Sequence, residues 1–215
     1  PDSDSLATFC QALSDAPYIA VDTEFVRERT YYAELALIQV AHGDHAAAID
    51  PLAEGIDLAP LKALLLNPGI VTVFHSGTED LELLLQLFGE LPTPLFDTQV
   101  AASLCGSDAQ IGYARLVNQR LGITLDKAHQ RTNWARRPLS DAQLAYALAD
   151  VTHLCTLYDL LIEDLTTRGR LSWINEDMAT LSNTRRYEVD PYEAWRRVRI
   201  HRTKRRSLAI LRELA

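Results

Sequence analysis

After one short predicted helix, strand-like segments come first in this chain, and helix-like segments then alternate with further strands. Alternating apolar residues followed by a tight Gly43-Asp44 turn predict an antiparallel meander. Beyond it, apolar residues at helical spacing surround a short, fully apolar segment. This order predicts a mixed α/β sheet covered by helices. The predicted strands are residues 18–25, 34–42, 45–49 and 70–74, and the predicted helices are residues 5–14, 58–66, 76–88, 111–121 and 140–168.

Composition excludes several classes of protein. The chain has 215 residues, of which 47% are apolar and 23% charged, so it can bury a core and is not a disordered chain. It contains no apolar run near the ~20 residues that a membrane helix needs. Its three cysteines are far apart and odd in number, which predicts core positions in a reducing compartment such as the cytoplasm.

Charge is distributed unevenly along the chain. Residues 185–215 hold ten Lys and Arg against four Asp and Glu, a net charge of +6. Because the whole chain is at −8, the preceding residues carry −14. This asymmetry predicts two functional regions, residues 1–184 and residues 185–215. Any nucleic acid bound by the acidic region needs local cations, either metal ions or nearby Arg and Lys.

Two acids lie on one face of the first predicted strand. Side chains alternate along a strand, so Asp22 and Glu24 share a face, roughly 7 Å apart. Paired carboxylates repel each other, and a divalent cation held by oxygen ligands relieves that repulsion. An edge strand with a solvated acidic face is the alternative, and these two residues do not decide between them.

Asp80 follows the apolar strand at residues 70–74, in the first turn of a predicted helix. The loop that leaves a strand of an α/β sheet is a frequent place for sites. Ser76 and Glu79 fit a capping box for this helix. An acid at a helix N-terminus also complements the helix dipole, which is the ordinary explanation for Asp80.

The predicted helix at residues 140–168 separates a polar face from its apolar stripe. Tyr146, Asp150 and His153 recur at helical spacing, so a tyrosine hydroxyl lies one turn from a carboxylate. Both groups could contact the same water or ligand. A partly exposed Tyr–Asp pair without further function is the alternative. A capping box from Ser140 to Gln143 is expected to open this helix.

Taken together, these acids resemble the motifs of the DEDD exonuclease superfamily. The superfamily has a strand with Asp-x-Glu, an Asp at a helix start and a late helix with a final Asp; the Tyr146 to Asp150 spacing matches its tyrosine branch. Over nearly its whole length the chain resembles the bacterial ribonuclease D family. The matching stretches are VDTEFVR (21–27), TYY (30–32), LIQ (37–39), IDPL (49–52), SGTEDL (76–81), FDTQ (96–99), LDK (125–127), RPL (137–139), YALADV (146–151) and DPYEAW (190–195).

The resemblance implies a ribonuclease H-like sheet and a 3'-5' exoribonuclease. The implied catalytic residues are Asp22, Glu24, Asp80, Asp150 and Tyr146, with the four acids holding two divalent ions, Mg²⁺ or Mn²⁺, and Tyr146 orienting the attacking water. The implied substrate is RNA with a free 3' end, such as tRNA precursors, with no obligate protein partner. Residues 185–215 are then expected to be a linker and the first helix of an incomplete helical nucleic-acid-binding domain. A non-catalytic nucleic-acid-binding domain and a DNA 3'-5' exonuclease are the alternatives.

Further residues are predicted to contact nucleic acid. They share a position beside the acids or in the basic, aromatic-bearing stretch before the last helix, for which a solvated loop is the alternative. Gln39 is interpreted as structural. The candidate contacts are Thr23, Phe25, Tyr31, Tyr32, His75, Lys127, Arg131, Trp134, Arg136 and Arg137.

Overall fold

A five-stranded mixed sheet forms the centre of the protein. The computed structural model of the chain describes residues 2–27, 33–126 and 132–187. The strands are β1 (Tyr18–Val26), β2 (Glu34–His42), β3 (His45–Ile49), β4 (Val71–Phe74) and β5 (Leu95–Asp97). Their order in the sheet is β3-β2-β1-β4-β5. β1 pairs antiparallel with β2 and parallel with β4, so the predicted meander and the predicted mixed sheet are confirmed.

Helices cover this sheet. They are α1 (Ser3–Ala12), α2 (Ala59–Leu65), α3 (Thr78–Phe88), α4 (Thr98–Leu104), α5 (Tyr113–Leu121), α6 (Asp141–Thr167) and α7 (Ile174–Leu181). α6 packs against β1, β2 and β3, and its N-terminus has the predicted capping box between Ser140 and Gln143. No helix in the described part of the chain combines the length and apolar character that a membrane span needs.

The turn between β4 and α3 differs from the prediction. Ser76 has a φ of 57°, in the left-handed region, and α3 begins two residues later with Gly77 as its N-cap. A side chain at Gly77 would bring its Cβ within 2.6 Å of the Phe74 Cβ. The predicted capping box from Ser76 to Glu79 is therefore wrong, because Ser76 lies outside the helix in a turn that only glycine can complete.

The chain divides into two compact units. The first is residues 1–182 and the second is residues 183–215, of which the structure describes Asn183 to Tyr187. A short 3₁₀ turn, Thr184–Arg186, follows Asn183, whose side chain accepts from the Arg185 amide. The predicted helix after Asp190 and its arginines lie outside the described residues, and the boundary at residue 184 stays a prediction.

Candidate active site

Three acids converge at the surface of the sheet beneath α6. Asp22 and Glu24 come from β1 and Asp150 from α6, and each offers an oxygen within 4.8 Å of the others. The three acids line a cavity of about 180 Å³ together with Thr23, His75, Tyr113, Tyr146 and Leu154. Side-chain alternation puts Asp22 and Glu24 on one face of β1. The helix α6 then brings Asp150, which is far away in sequence, to the same place.

Asp80 lies next to this group, in the first turn of α3. Its side chain is 8% exposed, and Oδ1 accepts a 2.5 Å hydrogen bond from the Thr23 hydroxyl. Thr23 stands between Asp22 and Glu24 in β1, so this bond ties α3 to the strand that carries the other acids. The nearby Asp80 charge also contributes to raising the pKa of Asp22.

Burial raises the pKa of all four carboxyls, and the charges of neighbouring acids raise the pKa of Asp22 and Glu24 further. Burial raises the pKa of Asp22 well above its usual value, and the charges of Asp80, Asp150 and Glu24 raise it further. Burial, with Asp150 and Asp80, raises the pKa of Glu24 to about 8. Burial also raises the pKa of Asp80 and of Asp150 to about 6 each. The cluster is electrostatically costly in its ionised form.

The donor set fits divalent cations. All four side chains offer hard carboxylate oxygens, the ligands that Mg²⁺ and Mn²⁺ prefer. In the described part of the chain, none of the four acids forms an ion pair with Lys or Arg. Cations would supply the compensating charge that the protein itself does not.

Asp97 holds the turn that presents Asp80. Its carboxylate, 3% exposed, accepts from the amides of Ser76 at 3.1 Å and Gly77 at 2.9 Å. It also caps α4 by accepting from Gln99 at 2.8 Å. One carboxylate at the end of β5 therefore fixes both the left-handed turn and the start of the next helix.

Two tyrosines contact Asp150 in different ways. The Tyr146 phenol hydrogen-bonds with the Asp150 carboxylate, and the Tyr113 phenol donates to the Asp150 backbone carbonyl. Burial first, then nearby acidic charge, raises the pKa of both phenols above the usual value. Both therefore keep their protons near neutral pH and act as hydrogen-bond donors.

The predicted nucleic-acid contacts have varied surroundings. Trp134 is 2% exposed and packs with Leu37 and Ala147, so its predicted contact is wrong because its ring is in the core. Arg137 donates to both oxygens of Asp50 at 2.5 and 2.6 Å and to the Ala36 carbonyl. This arginine therefore ties the loop to the sheet, and its role in steering a strand stays a prediction.

Other candidates keep their status as predictions. Both ring nitrogens of His75 hydrogen-bond at 3.0 Å, to the Thr98 hydroxyl and the Ile111 carbonyl, so its ring is held at the cavity wall. Phe25 is partly buried and Arg136 is exposed. Lys127, Arg131, Tyr31 and Tyr32 lie outside the described residues.

Three features of the site are missing from the sequence-based prediction. Tyr113 and Leu154 line the cavity, and Asp97 supports its rim. Leu154 belongs to the apolar stripe of α6 and gives no signal of its own. An aspartate directly before Thr98, at the end of a short apolar segment, fits an N-cap and could have been read as one.

Comparison with known proteins identifies the class to which this fold and site belong. A family model described as 3'-5' exonuclease matches residues 1–166. The chain belongs to this family of 3'-5' exonucleases.

Particular relatives narrow the similarity further. The chain is 49% identical to ribonuclease D of Gluconacetobacter diazotrophicus, covering 99% of this chain and 54% of that protein. It resembles the crystal structure of Escherichia coli RNase D, an exoribonuclease involved in structured RNA processing, with TM-score 0.84 and 46% identity over 91% of this chain and 52% of that one. Brucella melitensis NrnC with bound Mg²⁺ matches with TM-score 0.72 and 28% identity, over 89% and 92%. The chain thus spans about half the length of the ribonuclease D relatives, and the expected family resemblance is confirmed.

Proposed function

We propose that this chain is the catalytic part of a metal-dependent 3'-5' exoribonuclease that releases nucleoside 5'-monophosphates one at a time. The observation that carries the proposal is the convergence of Asp22, Glu24 and Asp150 within 4.8 Å in an open cavity. Membership of the 3'-5' exonuclease family and the similarity to ribonuclease D support it. A decayed, non-catalytic domain would be expected to have lost some of these acids.

The four acids would hold two divalent cations, Mg²⁺ or Mn²⁺. When bound, such ions lower the pKa of a water molecule and stabilise the leaving 3'-oxygen during phosphodiester hydrolysis. Asp22 lies within 4.8 Å of both Glu24 and Asp150, so it could share a cation with either. Thr23 keeps the Asp80 carboxylate oriented toward β1.

Tyr146 is assigned the role of orienting the attacking water. Its raised pKa means that the phenol does not serve as a strong base at neutral pH. Its hydrogen bond to Asp150 holds the hydroxyl at the cavity wall. Water then attacks phosphorus and gives up a proton to solvent, the bond from phosphorus to the 3'-oxygen breaks, and that oxygen takes up a proton from solvent as a 5'-monophosphate leaves.

The RNA strand is proposed to reach the cavity along the N-terminal end of α6. Arg136 is exposed and lines a second cavity of about 240 Å³ with Thr132, Asn133, Ser140 and Gln143. Gln143 precedes Tyr146 by about one helical turn, so these polar groups lie next to the site. The partner would be RNA with a free 3' end, in line with the structured RNA processing described for the E. coli enzyme, and tRNA precursors are the specific candidates.

Residues 1–184 would then form the exonuclease domain, and residues 185–215 would begin a helical nucleic-acid-binding domain. A reducing compartment such as the cytoplasm is the proposed location. Cys10, Cys105 and Cys155 are buried free thiols, which supports it.

One assay separates this proposal from its alternatives. Linear RNA, circular RNA and linear DNA of the same sequence, each internally labelled, are incubated with the chain and either Mg²⁺ or excess chelator. We expect 5'-monophosphates from linear RNA alone, and only with Mg²⁺. Equal cutting of circular RNA would indicate an endonuclease, preferential cutting of DNA a DNA exonuclease, and undiminished cutting in chelator would overturn the metal-dependent mechanism.

A further inference from the structure

Gln39 is a fully buried polar side chain in the middle of β2. Its exposed fraction is 0%, and in the described part of the chain neither the amide nitrogen nor the amide oxygen has a hydrogen-bond partner. Burying an amide without partners is unfavourable, and proteins keep few such groups. A glutamine at this position therefore requires an explanation other than packing.

The register of the sheet places Gln39 beside the acid cluster. Gln39 is the direct antiparallel partner of Asp22, so the two side chains project from the same face with their Cβ atoms roughly 5 Å apart. A glutamine side chain is long enough to reach a carboxylate across that distance. Asp22 in turn is surrounded by acids whose charges raise its pKa.

The apolar neighbours of Gln39 offer it no other side-chain partner. On β3 its cross-strand partner is Ala48, and Leu37, two residues earlier on the same face of β2, packs against Trp134 and Ala147. Neither Ala48 nor Leu37 can hydrogen-bond through its side chain. On the facing strand, Asp22 lies directly opposite Gln39, and Glu24, opposite Leu37, is a more distant diagonal neighbour on the same face.

We infer that Gln39 is a positioning residue: its amide nitrogen, unpartnered in the metal-free structure, would donate to the Asp22 carboxylate when Asp22 holds a divalent cation and would fix the orientation of that carboxylate. This inference rests on the proposed function. Groups that hydrogen-bond metal-ligating carboxylates set ligand orientation, and their loss typically weakens metal binding by about 10- to 100-fold. A residue with only a packing role would not change metal affinity.

Thr72 provides a matched control. It is also fully buried, and its hydroxyl also lacks a partner in the described part of the chain. It lies in β4 opposite Ile19 of β1, and Ile19 alternates to the face of β1 opposite that of Asp22. Thr72→Val therefore removes an equivalent buried polar group away from the acids.

The test is calorimetric titration of Mn²⁺ into the full chain, with thermal unfolding of the metal-free proteins measured in parallel. We expect Gln39→Met to weaken Mn²⁺ binding by at least about tenfold while the metal-free melting temperature is kept or raised. Gln39→Leu, which also lacks an amide and is close in volume, should show the same loss. Thr72→Val should leave Mn²⁺ affinity within about twofold of the wild type, and Gln39→Met should cost nothing further in an Asp22→Asn background.

The outcomes separate the inference from the proposed function. Mn²⁺ affinity of Gln39→Met within twofold of the wild type would overturn the positioning role and leave the proposed function standing. If Gln39→Met does not fold, the Mn²⁺ affinity of folded Gln39→Leu decides the question by the same criterion. Absence of Mn²⁺ binding by the wild type would overturn the proposed function itself.

Discussion

Asp97 and Asp22 are both aspartates on strands of one sheet, and their surroundings are opposite. Asp97 accepts hydrogen bonds from the amides of Ser76, Gly77 and Gln99, so its charge is matched by donors. Asp22 faces other carboxylates, and burial and their charges raise its pKa. Asp97 therefore stabilises the fold, whereas the charge of Asp22 is not matched by protein donors and is suited to a bound cation.

The strongest test of the difference between Asp22 and Asp97 is to replace each with asparagine. The effect at Asp22 is expected to be the larger one. Asp22→Asn should reduce turnover on the order of 10³-fold, equivalent to about 4 kcal/mol of transition-state stabilisation. The metal-free protein should be as stable as the wild type or more stable, because repulsion is relieved. Single-turnover kinetics on 3'-labelled RNA and urea unfolding measure the two effects. Retained turnover would show that Asp22 is not a catalytic ligand.

A pH series of the metal-free protein tests the electrostatic half of the comparison. The pKa of Glu24 is raised to about 8, and those of Asp80 and Asp150 to about 6. Between their ordinary values and these raised ones, the folded protein holds protons that the unfolded chain has lost. Its stability therefore falls as the pH rises from about 4 to 8.

Urea unfolding at each pH, with and without Mg²⁺, measures this slope. Excess Mg²⁺ should flatten it, because bound cations favour the ionised acids. Glu24→Gln should reduce it in the metal-free protein. A metal-free stability that does not change over this range would contradict the proposed repulsion.

Asp97→Asn tests whether Asp97 stabilises the fold. The amide nitrogen that replaces one carboxylate oxygen cannot accept, so either the Ser76 or the Gly77 amide loses its partner, and we expect a loss of about 2 kcal/mol in the free energy of unfolding. This sign is opposite to that expected for Asp22→Asn. Asp108→Asn is the control, because Asp108 forms an exposed pair with Arg115 and should change stability by less than about 1 kcal/mol. Unchanged stability in Asp97→Asn would show that its hydrogen bonds do not support the turn.

How far the sequence predicts the fold depends on the strength of each local signal. The bounds of β2 and β3 match their predictions, because alternation and a Gly-containing turn define both strands. β5 and α4 are missing from the prediction: β5 has three residues, too few for a period to be visible, and it depends on pairing with β4. The β4–α3 turn was predicted wrongly because Ser76 fits a capping motif locally, while Asp97, 21 residues later, holds its amide in a different turn.

In the candidate site, too, residues in local sequence motifs were predicted and residues placed by distant contacts were not. Asp22, Glu24, Asp80 and Asp150 were predicted as a set from the resemblance of their motifs to the DEDD exonucleases, while strand and helix periodicity alone placed Asp22 beside Glu24 and Tyr146 beside Asp150. Tyr113 and Gln39 belong to no local pattern, and only the sheet register and the packing of α6 bring them to the acids. Trp134 was misplaced because an aromatic residue among arginines looks the same in sequence whether its ring faces solvent or the core.

Substitution of Tyr146 has the smallest expected effect. Its phenol donates to Asp150, so it acts on the acid cluster through one member. Tyr146→Phe removes the hydrogen bond to the Asp150 carboxylate and should lower kcat about tenfold, equivalent to about 1.4 kcal/mol. Tyr113→Phe is the matched control, since its phenol contacts the Asp150 backbone; we expect it to lower stability by about 1 kcal/mol with less effect on kcat. Single-turnover rates and urea unfolding of both variants measure the difference. A loss in Tyr146→Phe as large as that in Asp22→Asn would mean that the phenol transfers a proton in the reaction, and a loss no larger than that in Tyr113→Phe would mean that it only supports α6.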